Sequence, residues 1–358
     1  MMLIAIRVDS SSTMGSGHFM RCLTLAGYLK AFGHEVQFIS RQLNGAILGV
    51  AVEKGYVVHK LFRPVVDNAL FGYISWLGVK QESDAQDTIN VIKTIGKVDI
   101  IIVDNYAIDE RWEQKLRPYV GKIFAIDDLA NRKHDCDFLL DQTYGIENTG
   151  KYDGLVPSKC IQFLGTAYSL LKPEYRKLRQ EIKLIRSEAK NILVFFGGSD
   201  DTGETVKLLE ALRKEQCTRY HFIVIVGNSN PQNNLVKLYC DSLHNVEFHC
   251  QVDNMEYYIS ICDLAFASAG VNTWERCVLG LPSIITVTAD NQREIAAKMR
   301  EQNAAVILGS FEAVTSEDYS RALSRIDEID ISTMSKNAAV LMEKNGIDEL
   351  LKVIGIGR

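Results

Sequence analysis

Val98-Asp99-Ile100-Ile101-Ile102-Val103-Asp104 is a run of β-branched residues interrupted by Asp99 and closed by Asp104. Such a run is too short for a typical helix and does not alternate apolar with polar, the pattern of a parallel strand covered on both faces. Similar runs at 2–8, 35–40, 56–61, 122–127 and 137–141 read as its partners. Between them the apolar spacing turns helical. Over 18–32, Phe19, Cys22, Leu23, Leu25, Ala26 and Leu29 share one broad face, and further helices are expected near 44–54 and 83–95. The second half repeats this logic. NILVFFGG at 191–198, HFIVIVG at 221–227, VEFHC at 246–250, DLAFASA at 263–269 and PSIITVT at 282–288 read as strands. Helices are expected at about 202–215, 332–344 and 346–354. This alternation predicts an α/β protein of two Rossmann-like domains with parallel sheets. The boundaries are set at 1–172 and 190–358, joined by the charged stretch 173–189.

Composition narrows the class. A chain of 358 residues, 47% hydrophobic and 24% charged, suits a two-domain globular enzyme. A net charge of −5 supplies no global field for nucleic acid, which is not expected as a partner. The eight cysteines form no C-x-x-C pair, and several lie in apolar runs, which suits a reducing cytoplasm. Arg7 interrupts the apolar start too early for a signal peptide, and no run approaches a membrane span, so stable membrane insertion is not expected.

In open parallel sheets, ligands bind beyond the carboxyl ends of the strands. The first strand runs into Asp9-Ser10-Ser11-Ser12-Thr13-Met14-Gly15-Ser16-Gly17-His18. Gly15 and Gly17 allow a tight turn and close backbone approach, and His18 opens a helix, where it could accept a proton. The same spacing suits a capping histidine. Met20 stands where a third dinucleotide glycine would be, which weakens a nicotinamide oxidoreductase reading. Gly197-Gly198-Ser199 and Ser268-Ala269-Gly270 follow two strands of the second half. Both loops could aim backbone N–H groups at a pyrophosphate, or the glycines could merely permit turns. Glu275, just over one turn into the next helix, could accept from ribose hydroxyls or simply face the helix dipole. His134-Asp135-Cys136-Asp137 is a poor metal set, because adjacent donors rarely converge on one ion. Motifs for an α/β serine hydrolase, a P-loop ATPase and a zincin are missing.

The stretch RVDSSSTMGSGHFMRCLTLA at 7–26 closely resembles the start of the UDP-sugar hydrolases of pseudaminic-acid biosynthesis. These belong with the SpsG-like spore-coat proteins and are distantly related to the MurG glycosyltransferases. The resemblance continues in WLGVKQESDA (76–85), IIVDNYAID (101–109), AIDDLANRKHDCDFLLDQTYG (125–145), FLGTAYSLLKPEYRKLR (163–179), FFGGSDDTG (195–203) and SAGVNTWERCVLGLPSI (268–284) through ADNQ, covering roughly residues 1–305. It implies a GT-B fold, two Rossmann-like domains around an interdomain cleft, with UDP held mainly by the C-terminal one. It implies hydrolysis of UDP-2,4-diacetamido-2,4,6-trideoxy-β-L-altropyranose with inversion. His18 would be the base, and neither metal nor cofactor would be needed. The pyrophosphate loop maps to Gly197, Gly198 and Ser199, and the ribose glutamate to Glu275. Asn291 and Gln292 map to polar donor contacts. Val252, Ser268, Ala269, Gly270 and Asn272 are placed with them, while Gly15, Gly17, Asp9, Asp104 and Tyr106 are placed on the sugar side. UDP-sugar and water are the expected partners of a monomer or weak homodimer feeding a surface glycan such as that of flagellin. The last fifty or so residues resemble the family less; in GT-B proteins a terminal helix often packs back across the cleft. Some family members carry a fused acetyltransferase, for which this tail is too short. A glycosyltransferase of the same fold, or a non-catalytic UDP-sugar-binding protein, fits many of the same residues. Residues 62–76 (FRPVVDNALFGYISW) could give a transferase an apolar membrane-facing patch, though core packing is the simpler expectation.

Overall fold

The computed structural model describes residues 1–62, 72–147, 149–215 and 218–355. The chain forms two compact units, Met1–Leu170 with Lys344–Arg358, and Leu171–Glu343.

The first unit is built on β1 (Leu3–Val8), α1 (Gly17–Ala31), β2 (Glu35–Arg41), α2 (Leu48–Glu53), β3 (Val57–Leu61), α3 (Gln81–Ile95), β4 (Val98–Asp104), α4 (Glu110–Leu116), β5 (Val120–Ile126), β6 (Phe138–Asp141) and β7 (Ile161–Leu164). Its strands pair in parallel in the order β3-β2-β1-β4-β5-β6-β7. The two-residue period explains the unbroken apolar runs. Ile4, Ile6, Ile100 and Ile102 enter the core under α1, while Ala5, Ile101 and Val103 enter the core under α3 and α4.

The second unit contains α5 (Pro173–Glu181), β8 (Asn191–Phe195), α6 (Glu204–Glu215), β9 (His221–Val226), α7 (Asn233–Asp241), β10 (Val246–Cys250), α8 (Met255–Ile261), β11 (Leu264–Ala267), α9 (Asn272–Val278), β12 (Ser283–Val287), α10 (Arg293–Glu301), β13 (Ala305–Ser310), α11 (Ser316–Ser324) and α12 (Ile331–Leu341). Its parallel sheet has the order β10-β9-β8-β11-β12-β13.

The final helix, α13 (Ile347–Gly355), differs from the 190–358 boundary. Ile347, Leu350, Leu351 and Ile354 are buried in the core of the first unit with Met2 and Ile4. The expected linker 173–189 also differs. Its α5 packs within the second unit, where Tyr175 is fully buried. Periodicity reveals that a helix has an apolar face, not which sheet covers it.

The expectations did not include α4, α7, α11, β7 or β13, nor a helix such as α5 within 173–189. In β7 only Phe163 is buried, and in β13 only Ala305, because both strands lie at sheet edges and lack a two-sided apolar signature. Most of the segment 62–76, residues 63–71, lies outside the described residues. Of its remainder Phe62 and Ile74 are exposed, while Trp76 is half-buried.

Candidate active site

In the first unit, β1 and β4 are neighbours and Val8 pairs with Asp104, so the glycine loop leaves the sheet beside that carboxylate. The loop is tied to itself: the Gly15 N–H donates to the Ser11 carbonyl at 2.9 Å and the Met14 N–H to Ser11 Oγ at 3.1 Å. Gly15 has φ 74°, a conformation strained for a residue with a Cβ. Gly17 opens α1, and His18 then points at the end of β4, with Nδ1 2.6 Å from Asp104 Oδ1. The i, i+3 spacing places Arg21 on the same helix face. Its guanidinium clamps Asp104 through Nε at 2.6 Å and Nη2 at 2.7 Å, and its Nη1 donates to Asp128 Oδ2 at 2.9 Å.

An ionised Asp104 can only accept, so the histidine tautomer assigned here carries its proton on Nδ1. The Arg21 Nη2–His18 Nδ1 approach of 3.1 Å is then a contact and not a second hydrogen bond. Nε2 is left as an acceptor with no hydrogen-bond partner among the described residues. Burial alone would raise the Asp104 carboxyl, but the Arg21 charge and the hydrogen bonds from Arg21 and His18 outweigh it and hold it well below the usual carboxylate range. Aromatic edges close around the imidazole. Tyr106 and Trp76 lie with ring centroids 4.6 and 5.7 Å away, and Trp76 stacks on Tyr106. The Tyr106 hydroxyl donates to Asp128, and burial followed by that carboxylate's charge pushes the phenol well above its ordinary range.

His18, Asp104 and Tyr106 are thus brought together, with Gly15 and Gly17 shaping the approach. Asp9 is not part of this group, a correction to its sugar-side placement. It is fully buried and accepts from Arg7 Nη1 at 2.6 Å, the Arg41 N–H at 2.7 Å and Asn105 Nδ2 at 3.1 Å. Arg7 and Arg41 in turn grip the buried Asp84, at 2.6 and 2.7 Å. A buried carboxylate held by Arg7, the Arg41 N–H and Asn105 is used up in holding the sheet end together. His134 is likewise engaged, with Nδ1 2.7 Å from Glu113 Oε1.

In the second unit, Gly197 takes φ 109° directly after β8, and the Gly198 carbonyl accepts the Gly227 N–H at 2.9 Å. A Cβ on Gly227 would stand 2.7 Å from that carbonyl oxygen, so the two loops fit only with glycine there. Ser199 Oγ donates to Asp201 at 3.0 Å. The amino end of α6 is occupied. Asp200 caps it, accepting from the Glu204 and Thr205 N–H groups at 3.0 and 2.9 Å. Burial pushes the Asp200 carboxyl up to about 6.

The loop after β11 departs from expectation. The Ala269 N–H is already bound to Gln292 Oε1 at 3.2 Å, which also accepts from the Thr288 N–H at 3.1 Å. This fixes the Gln292 amide with Nε2 turned toward Gly270. A Cβ built there would meet Gln292 Nε2 at 3.8 Å, Ser268 Oγ at 3.8 Å and Asn272 Oδ1 at 3.9 Å. Ser268, Gly270, Asn272 and Gln292 therefore form one cluster. Arg276 underlies it, donating to the Ser268 carbonyl at 2.8 Å and to Asn272 Oδ1 at 3.1 Å; burial draws this guanidinium down to about 10. Glu275 lies beside the fully buried Tyr175, and burial raises its carboxyl above the ordinary range. Asn291 is exposed in the turn before α10, and Val252 is half-buried in the loop after β10; neither touches this cluster through a hydrogen bond.

The residues missed in the sequence are Arg21, Trp76, Tyr175 and Arg276; Asp128, just beyond β5, reads in the sequence as either facing a cleft or capping the next segment. Arg21 and Arg276 carried a usable signal, since each lies one helical turn from a singled-out residue, His18 and Asn272. Trp76 and Tyr175 come from distant segments, so only the fold reveals them. Among the described residues, no group of three or more His, Cys, Asp or Glu is arranged to hold a metal ion, and no helix is long and apolar enough to cross a membrane.

Residues 192–350 match the glycosyltransferase family 28 C-terminal domain. The chain is 30% identical over 303 residues to an uncharacterized protein of Methanocaldococcus jannaschii, covering 82% of this chain and 57% of that one. The chain thus spans little more than half the length of that relative. It is 29% identical over 238 residues to a UDP-2,4-diacetamido-2,4,6-trideoxy-β-L-altropyranose hydrolase of Campylobacter jejuni, covering 66% of this chain and 73% of that one. It is 25% identical over 233 residues to the spore coat polysaccharide biosynthesis protein SpsG of Bacillus subtilis, covering 64% and 68%. The crystal structure of Acinetobacter baumannii MurG superposes with a TM-score of 0.65 at 14% identity, covering 99% of both chains. The fold is GT-B. With relatives of these kinds, a family 28 C-terminal domain and a MurG-like fold, the chain fits the family represented by SpsG and the altropyranose hydrolase.

Proposed function

We propose that the protein hydrolyses UDP-2,4-diacetamido-2,4,6-trideoxy-β-L-altropyranose to UDP and the free sugar. The observation that carries this reading is His18, with Nδ1 fixed by Asp104 at 2.6 Å and Nε2 left to accept a proton. Water placed against Nε2 loses a proton to it as the oxygen attacks the anomeric carbon, on the face opposite the leaving diphosphate. One displacement inverts that centre. Asp104 holds the ring's tautomer and faces the imidazolium as it forms, and Arg21 keeps Asp104 ionised. Such base assistance is worth about 10²–10⁴-fold. The diphosphate falls to the Gly197–Ser199 loop, the Gly270 backbone and the Gln292 amide, and the ribose to Glu275. Ala269 has no role through its N–H, which Gln292 occupies. No metal ion takes part in this scheme; donors already in place stabilise the departing UDP. The 29% identity to the altropyranose hydrolase supports the choice of sugar.

A glycosyltransferase using the same donor is favoured by one observation, the family 28 match over 192–350. An acceptor hydroxyl would then replace water at His18. A turnover assay separates the two. The protein, freed of metal by chelation, is incubated with the UDP-sugar, and UDP and free sugar are followed by NMR. Equal release of both, lost in His18→Asn with UDP affinity retained, supports hydrolysis. Donor binding without release points to a transferase lacking its acceptor. Equal loss of binding and turnover in His18→Asn removes the base assignment.

A further inference from the structure

Cys136 and Cys160 lie outside the site described above, yet their sulfurs are 3.6 Å apart. They precede paired strands. β6 and β7 run in parallel with Phe138 opposite Ile161, so the two thiols meet at the amino ends of these strands. Cys136 is buried among the apolar residues under α3 and α4, whereas Cys160 is partly open to solvent. The chain between them forms β6 and then an excursion that returns along β7. That excursion carries Lys151, which donates to Asp141 Oδ2 and the Asp128 carbonyl, both at 2.9 Å, and Tyr152, whose hydroxyl donates to Asp141 at 2.9 Å. Its base is pinned already, since the Ile161 N–H donates to the Asp137 carbonyl at 2.9 Å and the His134 N–H to the Leu155 carbonyl at 2.8 Å. Two sulfurs held this close on a fixed frame need only small side-chain rotations to bond.

We propose that Cys136 and Cys160 are an oxidisable pair that closes to a disulfide when the protein meets a peroxide. The open Cys160 reacts first. Its thiolate attacks one peroxide oxygen, the O–O bond breaks, and hydroxide leaves to become water, giving a sulfenic acid. Cys136 then attacks that sulfur, passing its proton to the departing hydroxide; the S–O bond breaks and the S–S bond forms. Two thiols lose two electrons and the peroxide becomes two waters. The neighbouring Cys160 sulfur and burial hold the Cys136 thiol well above its ordinary range, which suits a resolving thiol over the first attacker.

The exposed Cys250, whose neighbours are Asn228 and Asn233 and not a thiol, is the internal control. The whole protein is exposed to hydrogen peroxide, alkylated and digested without reduction. The expected product is a linked peptide pair containing Cys136 and Cys160, two hydrogens lighter than the sum of its parts and released by dithiothreitol. In Cys136→Ser, Cys160 has no resolving partner and should oxidise past the point that dithiothreitol reverses. Linkage through other cysteines overturns the proposal. So does free Cys136 beside an oxidised Cys160, or identical recovery of Cys160 in wild type and Cys136→Ser.

Discussion

His18 and Asp104 meet at 2.6 Å although they are far apart in the chain, because β1 and β4 are adjacent and both end at the same rim of the sheet. Asp104 is shared: one carboxylate serves the imidazole and the Arg21 guanidinium together. Replacing it by asparagine keeps the shape but removes the charge that selects the Nδ1–H tautomer. Asp104→Asn should lower turnover of the UDP-sugar by about 10²–10⁴-fold with little change in UDP affinity. Steady-state kinetics set beside calorimetric UDP titration check this; a parallel loss of affinity would place Asp104 in the fold and not in the reaction.

Glu275 is assigned to the ribose, and the buried Tyr175 lies beside it. Glu275→Gln should weaken UDP binding by about 10-fold or more, the scale of a hydrogen bond to a charged group. Tyr175→Phe should weaken it less. Isothermal titration of UDP into each variant gives the comparison, and unchanged affinity in Glu275→Gln would remove the ribose assignment.

Asp84 neutralises Arg7 and Arg41 in the buried end of the first sheet and also accepts from Trp112 Nε1 at 3.0 Å. Burial works to raise its carboxyl, but the two arginines prevail and lower it. A lowered folded value means stability present above the unfolded value, near 4, and lost as the pH falls through the folded one. Asp84→Asn leaves two buried cations poorly compensated and should cost about 3–5 kcal/mol at neutral pH. Urea denaturation of both proteins at pH 7 measures the difference.

Asp200 carries the opposite sign. Its folded carboxyl titrates at about 6, above the unfolded value of about 3.9. The protonated form is therefore favoured by folding. That contribution is complete below pH ~4 and disappears as the pH rises through about 6, a change of roughly 2–3 kcal/mol. Asp200→Asn retains a capping oxygen and tolerates φ 45°, so its stability relative to wild type should improve between pH 4 and 7. Thermal melts across that range read it out, and parallel curves would contradict the assignment.

Much of the fold could be read from the chain because parallel strands covered on both faces leave unbroken runs such as Ile100-Ile101-Ile102. Edge strands do not: β7 and β13 bury one side chain each and escaped notice. The site divides in the same way. His18, Gly197, Gly270 and Glu275 stand in loops or helix starts that follow strands, where local sequence points to ligands. Asp128 and Tyr175 act on residues supplied by other elements, and that meeting is set by strand order alone. Asp9 shows the reverse error. Its position at a strand end matched a ligand residue, but the Arg7 guanidinium and the Arg41 backbone N–H that claim it are brought there only by the folded sheet. Ala269 misled similarly, since Gln292 occupies an amide that the loop alone would leave open.

The packing of α13 into the core of the first unit makes the second unit an insertion within the chain of the first. On the ribosome, β1 to β7 emerge early but wait for Ile347, Leu350, Leu351 and Ile354, which are synthesised only after the whole second unit. The inserted unit can finish folding while its host is still missing a helix. Until α13 arrives, the apolar face holding Met2 and Ile4 stays partly open, and a chain stalled after residue 343 would present it to chaperones.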